Sequence, residues 1–276
     1  MYTAEISRKR PTLFGFLIDG SGSTSRTLAG GQETIAQRVA LALNRLIMEL
    51  VVRSTKGEDQ VYGYYDLAAI VYNGRGVQSG WAGTLAGKEI VSISELAVSP
   101  ARMEERKRKV DDGAGGVIEV PVRMPIWFEP ASEGSTPMAA AFSRAKVLIQ
   151  QWISEHPDAY PPTLINVSDG DSTDGSPVVM AREIQALVTS DGNVLVFNLH
   201  VSPDAVGEIL YPAEQPVDRF GATMFDASSE LPPHLVGAFA EAGVPIRSGA
   251  RACTINADMI QVIQALNIGT RPASLE

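Results

Sequence analysis

The sequence predicts an α/β fold, with a doubly wound, mostly parallel sheet flanked by helices. Two observations predict this class. Short continuous apolar runs that end on Asp-Gly, such as Thr12–Ile18, are typical of strands buried on both faces of a parallel sheet. Between such runs, apolar residues recur at spacings of three and four, which indicates amphipathic helices. Strands that alternate with helices in this way favour one sheet covered on both faces.

The first unit of the chain is a strand, a polar loop and a helix. The strand is Thr12–Ile18, and the helical spacing runs from Ile35 to about Val52. A second strand is predicted within Val61–Gly74, because that stretch is rich in aromatic and β-branched residues and closes on Asn-Gly. We expect a short edge strand within Val77–Gly83.

The alternation of strands and helices breaks between Val91 and Pro130. This segment contains the charged stretch "ARMEERKRKVDDGAGG", a β segment "VIEVPVRM" and the proline-flanked "PIWFEP". We interpret residues 91–130 as a β-containing insertion that decorates one edge of a single domain spanning residues 1–276. Mixed charge runs are usually solvated surfaces, so the insertion is interpreted as a solvated helix and loop, and a docking surface is the second interpretation.

The alternation resumes with a helix for which Thr136 is the predicted N-cap and Pro137 the first helical residue. Thr163–Gly170 repeats the pattern of the first strand and again ends on Asp-Gly, and Asn193–Ser202 is another buried strand. A last strand is predicted in "GATMFDASS". The remaining helices are predicted in "SPVVMAREIQALVTS", "LPPHLVGAFAEAG" and "NADMIQVIQALNIG".

Composition narrows the class of protein. Of the 276 residues, 45% are hydrophobic and 20% are charged, which is ordinary for a folded domain. The formal net charge of −9 argues against nucleic-acid binding, which needs a basic surface. No segment approaches the roughly 18 apolar residues of a membrane span, so we expect a cytoplasmic protein. The single cysteine, Cys253, is expected to be a buried, unreactive thiol.

Oxygen-bearing side chains follow the two strands that end on Asp-Gly. Asp19 and Asp169 stand at the ends of these strands, and ligands of open parallel sheets bind outside the strand carboxyl ends, where the strand order reverses. If the two strands flank that point, both carboxylates face one crevice, together with Ser21, Ser23 and Thr136. A set of oxygen ligands suits Mg²⁺ or Mn²⁺ and disfavours zinc.

These residues resemble a known family. "DGSGS" at Asp19, "GSTPM" with Thr136 and "SDGDSTDG" with Asp169 resemble the metal-ion-dependent adhesion site of von Willebrand factor A (VWA) domains. Longer phrases are similar to bacterial cytoplasmic members of the tellurite-resistance type. The resemblance implies a Rossmann-like VWA fold with the metal at the top of the sheet. It also implies that Ser21 and Ser23 bind the metal directly, Asp19 and Asp169 directly or through water, and Thr136 in either way.

The resemblance implies a function in protein binding without catalysis. A metal held mainly by neutral hydroxyls accepts an Asp or Glu of a partner protein, so the chain would be a divalent-cation-dependent adaptor. By resemblance, its partner would be a kinase, a phosphatase or an AAA+ ATPase of the same bacterial system; neither nucleic acid nor a membrane is expected to bind.

Two alternatives stay open from the residues. The first is a magnesium-dependent phosphoryl-transfer or hydrolytic enzyme, although Arg26 is the only cationic residue in the three motif loops and no phosphate-binding glycine loop is present. His156, His200 and His234 lie far apart and near no nucleophile motif. The second alternative is a metal-free scaffold, in which the serines form a polar turn and cap the next helix.

Overall fold

The computed structural model describes residues 2, 4, 6–27, 31–57, 60–111, 117–202 and 207–270. Within these residues no helix is long and apolar enough to cross a bilayer. The helices, numbered in chain order, are α1 (Ile35–Ser54), α2 (Ile93–Val98), α3 (Met138–Glu155), α4 (Val178–Gln185), α5 (Arg219–Asp226), α6 (Pro233–Glu241) and α7 (Met259–Gly269).

The strands are numbered in the same way. In the described residues they are β1 (Thr12–Asp19), β2 (Thr55–Lys56), β3 (Gln60–Val61), β4 (Tyr65–Asn73), β5 (Gly76–Ser79), β6 (Val91–Ser92), β7 (Arg102–Asp111), β8 (Val117–Ile126), β9 (Thr163–Ser168), β10 (Val188–Thr189), β11 (Gly192–Asn193), β12 (Leu195–Val201), β13 (Ile209–Leu210) and β14 (Cys253–Ala257).

A mostly parallel sheet forms the centre of the molecule. Its order is β13-β14-β12-β9-β1-β4-β5, with β6 also paired to β4. The five strands from β14 to β4 run parallel, whereas β13, β5 and β6 pair antiparallel at the edges. The predicted α/β class, with a mostly parallel sheet flanked by helices, is therefore confirmed.

Each face of the sheet carries its own apolar core, because side chains alternate between faces along a strand. In β1, Phe14 and Phe16 pack into the core on the side of α1 and α7, whereas Leu13 and Leu17 pack on the side of α3 and α4. All eight residues of β1 are buried. This is why the strand sequence reads as a continuous apolar run with no polar face.

The strand order reverses beside β1. The chain leaves β1 for β4 on one side, and after α3 it returns to β9 on the other side. β1 and β9 run parallel as neighbours, with Ile18 opposite Val167. The two Asp-Gly strand ends therefore lie side by side at the switch point of the sheet, as the sequence predicted.

Near the end of the chain, one predicted strand is wrong and one strand was not predicted. The stretch "GATMFDASS" does not form a strand; most of it lies in α5, whose N-cap is Asp218 with its side chain accepting the Gly221 N–H. The last parallel strand is β14, which the sequence reading missed. Its sequence, "CTINA", follows a polar, glycine-containing loop and is too short to show a period by itself.

The segment 91–130 is also different from its predicted form. The charged stretch is no helix: Arg102–Asp111 pairs antiparallel with Val117–Ile126 in a long hairpin, and residues 112–116 lie outside the described residues. Nor is the proline-flanked stretch that follows a solvated loop. Trp127 and Phe128 are buried, and their backbone N–H groups donate to Asn44 Oδ1 of α1 at 2.8 and 3.1 Å.

Candidate functional site

Asp19 ends β1 and is buried, with only 5% of the residue exposed. Its Oδ1 accepts the Ser21 backbone N–H at 2.9 Å, and its Oδ2 accepts the Ser168 hydroxyl at 2.7 Å. Ser168 is the last residue of β9, so this hydrogen bond joins the ends of the two central strands. The first predicted ligand is thereby fixed between the two strand ends.

A second chain of hydrogen bonds joins three more of the predicted residues. The hydroxyls of Ser21 and Ser23 lie 3.0 Å apart, and Ser23 Oγ donates to Asp169 Oδ1 at 2.7 Å. The other oxygen of Asp169 accepts from Arg26 Nη2 at 3.1 Å. The side chain of Asp169 is 0% exposed, whereas that of Arg26 is 52% exposed. Asp19, Ser21, Ser23 and Asp169 thus form one compact group of oxygens, with a guanidinium at its outer side.

Thr136 reaches the same edge from another loop, but no hydrogen bond joins its side chain to the other four residues. Its backbone N–H donates to Thr173 Oγ1 at 3.0 Å, and its carbonyl accepts the Thr173 N–H at 2.9 Å. Thr136 is buried. Within the part of the chain that the structure describes, its hydroxyl has no hydrogen-bond partner. It is therefore available to a ligand.

The prediction that Thr136 caps α3 is wrong. The N-cap of α3 is Pro137, which has no side chain that could cap. The carboxylate of Asp174 caps the helix instead, accepting the N–H groups of Ala139 and Ala140, both at 2.9 Å. The cap of α3 therefore comes from the loop after β9.

Close backbone contacts place the loop that carries Thr136. Gly134 has a φ of +67°, and a Cβ added there would lie 2.6 Å from the Cα of Gly74 in the turn after β4. Backbone hydrogen bonds join the same loop to the end of β1: Glu133 N–H donates to Gly20 O at 2.7 Å, and Gly22 N–H donates to Gly134 O at 3.0 Å. Three loops are thus tied together at the carboxyl edge of the sheet.

The electrostatics of the site reflect buried negative charge. Burial raises the pKa of Asp19, opposed by hydrogen bonds from Ser168 and Ser21, and the nearby Asp169 raises it further. Burial also lowers the pKa of His200 at the end of β12, partly opposed by a hydrogen bond with the Asp169 backbone. His200 Nδ1 accepts the Asn256 N–H at 3.0 Å, so this histidine is a hydrogen-bonded strand residue.

Sequence reasoning missed three contributors to this site. Ser168 immediately precedes Asp169, but a serine inside an apolar strand gives no sign that its hydroxyl binds the other aspartate. Arg26 was noted only as the sole cation of the motif loops. Thr173 lies in the polar run after β9, where nothing in the spacing indicates that it pairs with Thr136.

Comparisons with known proteins give no family for this chain. No protein-family model matches it, and no curated protein matches it. A solved structure, that of the adhesive tip pilin GBS104 from Group B Streptococcus agalactiae, is similar at 12% identity with a TM-score of 0.33. The similarity covers 88% of this chain and 72% of that one. A TM-score this low supports no inference about fold or function.

The identification as a VWA domain is therefore wrong. No family model supports it, and among the described residues no group of three or more His, Cys, Asp and Glu side chains could hold a metal ion. The carboxylates of the cluster are two, Asp19 and Asp169. The motifs that suggested the family consist of Gly, Ser, Thr and Asp, which are also the residues that tight polar turns after buried strands require. Such short matches therefore occur without the family.

Proposed function

We propose that the chain binds a divalent cation, Mg²⁺ or Mn²⁺, at the carboxyl edge of β1 and β9, and that it thereby binds an acidic residue of a protein partner. The ligands would be the side-chain oxygens of Asp19, Ser21, Ser23, Thr136 and Asp169. What supports the proposal is one observation: two buried carboxylates and two hydroxyls form a compact group at the switch point of a parallel sheet.

The donor chemistry fits a hard cation. The group contains carboxylate and hydroxyl oxygens, which Mg²⁺ and Mn²⁺ prefer, and it contains no sulfur or imidazole ligand. With two carboxylates, most of the remaining positions of an octahedron would have to come from hydroxyls and water. The unpaired hydroxyl of Thr136 and the hydroxyl pair of Ser21 and Ser23 supply such ligands.

The burial of Asp19 also favours a cation. A buried carboxylate is costly in its charged form unless a positive charge or hydrogen bonds compensate it. Asp19 has hydrogen bonds from Ser21 and Ser168 but no ion pair among the described residues, and its pKa remains raised. Asp169, in contrast, has the Arg26 guanidinium. A cation beside Asp19 would supply the missing positive charge.

The charge balance of the group favours an acidic partner. Asp19 and Asp169 carry two negative charges when ionised, and Arg26 carries one positive charge. Addition of a divalent cation gives the group a net charge of +1, because −2, +1 and +2 sum to that value. One further carboxylate, from an aspartate or glutamate of another protein, would neutralise it. The bound cation would supply the Lewis-acidic position at which that carboxylate binds.

Calorimetric titration of Mg²⁺ and Mn²⁺ into wild-type protein and Asp19→Asn tests the cation site. Asn is isosteric with Asp, its Oδ1 can still accept the Ser21 N–H, and the Ser168 hydroxyl has a second acceptor in Gly170 O at 3.0 Å. The variant should therefore fold. We expect binding heats from the wild type and none from Asp19→Asn.

Asp158→Asn is the matched control. Asp158 is exposed in the loop before β9, at the opposite end of that strand from Asp169, so its replacement removes the same charge away from the cluster. The control should titrate like the wild type. Equal heats from wild type and Asp19→Asn, with both proteins folded by circular dichroism, would contradict the cation site. Loss of binding in the Asp158→Asn control would show that only the overall charge matters.

A further inference from the structure

A cavity of about 330 Å³ opens against the loop that follows Asp169. One wall is the loop after β9, residues 171–177, and the other is one side of α5, within residues 219–224. Met138 and Met224 lie at its inner side, each only 1% exposed. The loop that forms the first wall begins next to Asp169, and Met138 follows Thr136 by two residues. The cavity and the oxygen cluster are therefore built partly from the same two chain segments.

Hydrogen bonds hold the first wall in place. The Asp174 carboxylate binds the backbone of α3 through Ala139 and Ala140, and it also accepts the Ser172 hydroxyl at 2.7 Å. Thr173 makes two hydrogen bonds with the backbone of Thr136, one through its hydroxyl and one through its N–H. These bonds fix the same loop to the segment that carries the predicted ligand. The position of this wall is thereby coupled to the position of Thr136.

The second wall is tied to the sheet and to α4. At the C-terminal end of α5, Ser228 Oγ donates to Met224 O at 2.7 Å and accepts from Asn198 Nδ2 of β12 at 3.0 Å. Gln185 Nε2 of α4 donates to Ala227 O at 2.8 Å. Because both walls are fixed by such contacts, a ligand would find the cavity already formed and would not bear the entropic cost of ordering it.

The lining of the cavity combines an apolar interior with a rim that carries one basic and one acidic side chain. Met138, Met224 and Phe220 supply the apolar part, and methionine adapts to side chains of different shape. Arg219 lies on the rim, and among the described residues no acidic side chain forms an ion pair with it. Asp171 also lines the cavity and is exposed. Arg219 and Asp171 carry opposite charges, and Arg26 at the cluster is already paired with Asp169, so the apolar interior is the feature that distinguishes this cavity.

We propose that the cavity binds a bulky apolar side chain, such as leucine, methionine or phenylalanine, from the same partner segment whose aspartate or glutamate binds at the oxygen cluster. The inference rests on the proposed function and specifies its partner. That partner presents an acidic residue and a bulky apolar residue a few positions apart, and the two residues enter adjacent positions on this surface. The apolar residue adds affinity through burial, and the acidic residue adds dependence on the cation.

Peptides provide the test. The probes are fluorescein-labelled octapeptides with one aspartate and one leucine, placed one to four positions apart in either order, and matched peptides with serine in place of leucine. Binding is measured by fluorescence anisotropy in Mg²⁺ and in EDTA. Burial of a leucine side chain corresponds to about a tenfold gain in affinity, so the best leucine peptide should bind about ten times more tightly than its serine counterpart.

A cavity-filling variant locates the effect. Thr223 lies on the second wall and its hydroxyl bonds only to Arg219 O of its own helix, so Thr223→Trp places an indole in the cavity at little cost to the fold. The matched control is Val147→Trp, at a position of α3 that is 61% exposed and outside the cavity. Thr223→Trp should abolish the preference for leucine over serine and keep the Mg²⁺ heats. Val147→Trp should keep both.

The outcomes separate this inference from the function on which it rests. If Mg²⁺ binds but leucine and serine peptides have equal affinities, or if Thr223→Trp keeps the leucine preference, the cavity does not bind the apolar residue. If Mg²⁺ heats are absent, or peptide binding is the same in Mg²⁺ and EDTA, the proposed function itself fails. A leucine preference that requires Mg²⁺ and disappears only in Thr223→Trp supports both.

Discussion

Replacing Arg26 by glutamine should strengthen cation binding and weaken the cation-free fold. In the structure the Arg26 guanidinium occupies one oxygen of Asp169, at 3.1 Å. A divalent cation that binds Asp169 competes with this ion pair and is repelled by its positive charge. Removal of the guanidinium therefore frees a carboxylate oxygen for the cation, and it leaves that same carboxylate buried and without a counter-charge when no cation is present.

The size of both effects follows from the exposure of the pair. The Arg26 side chain is 52% exposed, so solvent screens it, whereas Asp169 is fully buried. Exposed ion pairs contribute about 0.2 to 1 kcal/mol, and the buried carboxylate places this pair at the upper end, at about 1 kcal/mol. In binding, about 1 kcal/mol corresponds to roughly a fivefold lower Kd for the cation. In stability, it corresponds to a melting temperature about 2 °C lower for a chain of this length in chelator.

The two effects are measured by calorimetric titration of Mg²⁺ and by thermal melting in EDTA. Arg53→Gln is the matched control, because Arg53 is a partly exposed arginine with one ion pair, to Glu49, in the last turn of α1. The α1 helix has 20 residues and is about 30 Å long, and Arg53 lies at the end that is farther from the cluster. A Kd for Mg²⁺ that is unchanged or higher in Arg26→Gln would refute the competition. An equal gain in Arg53→Gln would assign the effect to net charge.

Three further changes test other parts of the structure. Gly134→Ala places a Cβ at a positive φ and against the backbone of Gly74, so we expect a melting temperature about 4 °C lower, for a cost of about 2 kcal/mol, and weaker Mg²⁺ binding by calorimetry. Asn44→Leu removes the buried partner of the 127–128 backbone, and thermal melting should fall by about 6 °C, for a cost of about 3 kcal/mol. Burial lowers the pKa of His234, so below about pH 6.5 the unfolded chain binds more protons than the folded chain, and stability decreases as the pH is lowered. In His234→Gln, the melting temperature between pH 7.5 and 5.5 should therefore depend less on pH.

The elements that bury both faces could be predicted from the sequence. β1 and β9 were recognised because strands inside a parallel sheet leave no polar face, and their apolar runs end where the chain turns into the loop. The same rule placed Asp19 and Asp169 at one edge, and the pairing of the two strands confirms that placement. Local sequence sufficed here because burial on both faces is a property of each strand by itself.

Elements that depend on distant partners could not be predicted in this way. The Arg102–Asp111 strand carries a mixture of acidic and basic residues that suits an exposed hairpin as well as an exposed helix, and only its pairing with Val117–Ile126 decides between them. The burial of Trp127 depends on Asn44, which lies 83 residues earlier. For α5, the decisive feature is the Asp218 cap, which lies upstream of the stretch that was interpreted as a strand.

The candidate site shows why the motif supports a chemistry better than it supports a family. Gly74 after β4 and Gly134 before α3 permit the close approach of their two loops, and short hydroxyl residues fill the space between two buried carboxylates. Any parallel sheet whose strand order reverses beside an aspartate favours similar residues, because buried carboxylates need hydrogen-bond donors and tight turns need small side chains. A cation site therefore depends on how the negative charge is compensated, and in this chain only one of the two carboxylates, Asp169, has an ion-pair partner among the described residues. The unbalanced charge of Asp19 is thus the feature that most directly favours a cation at this edge.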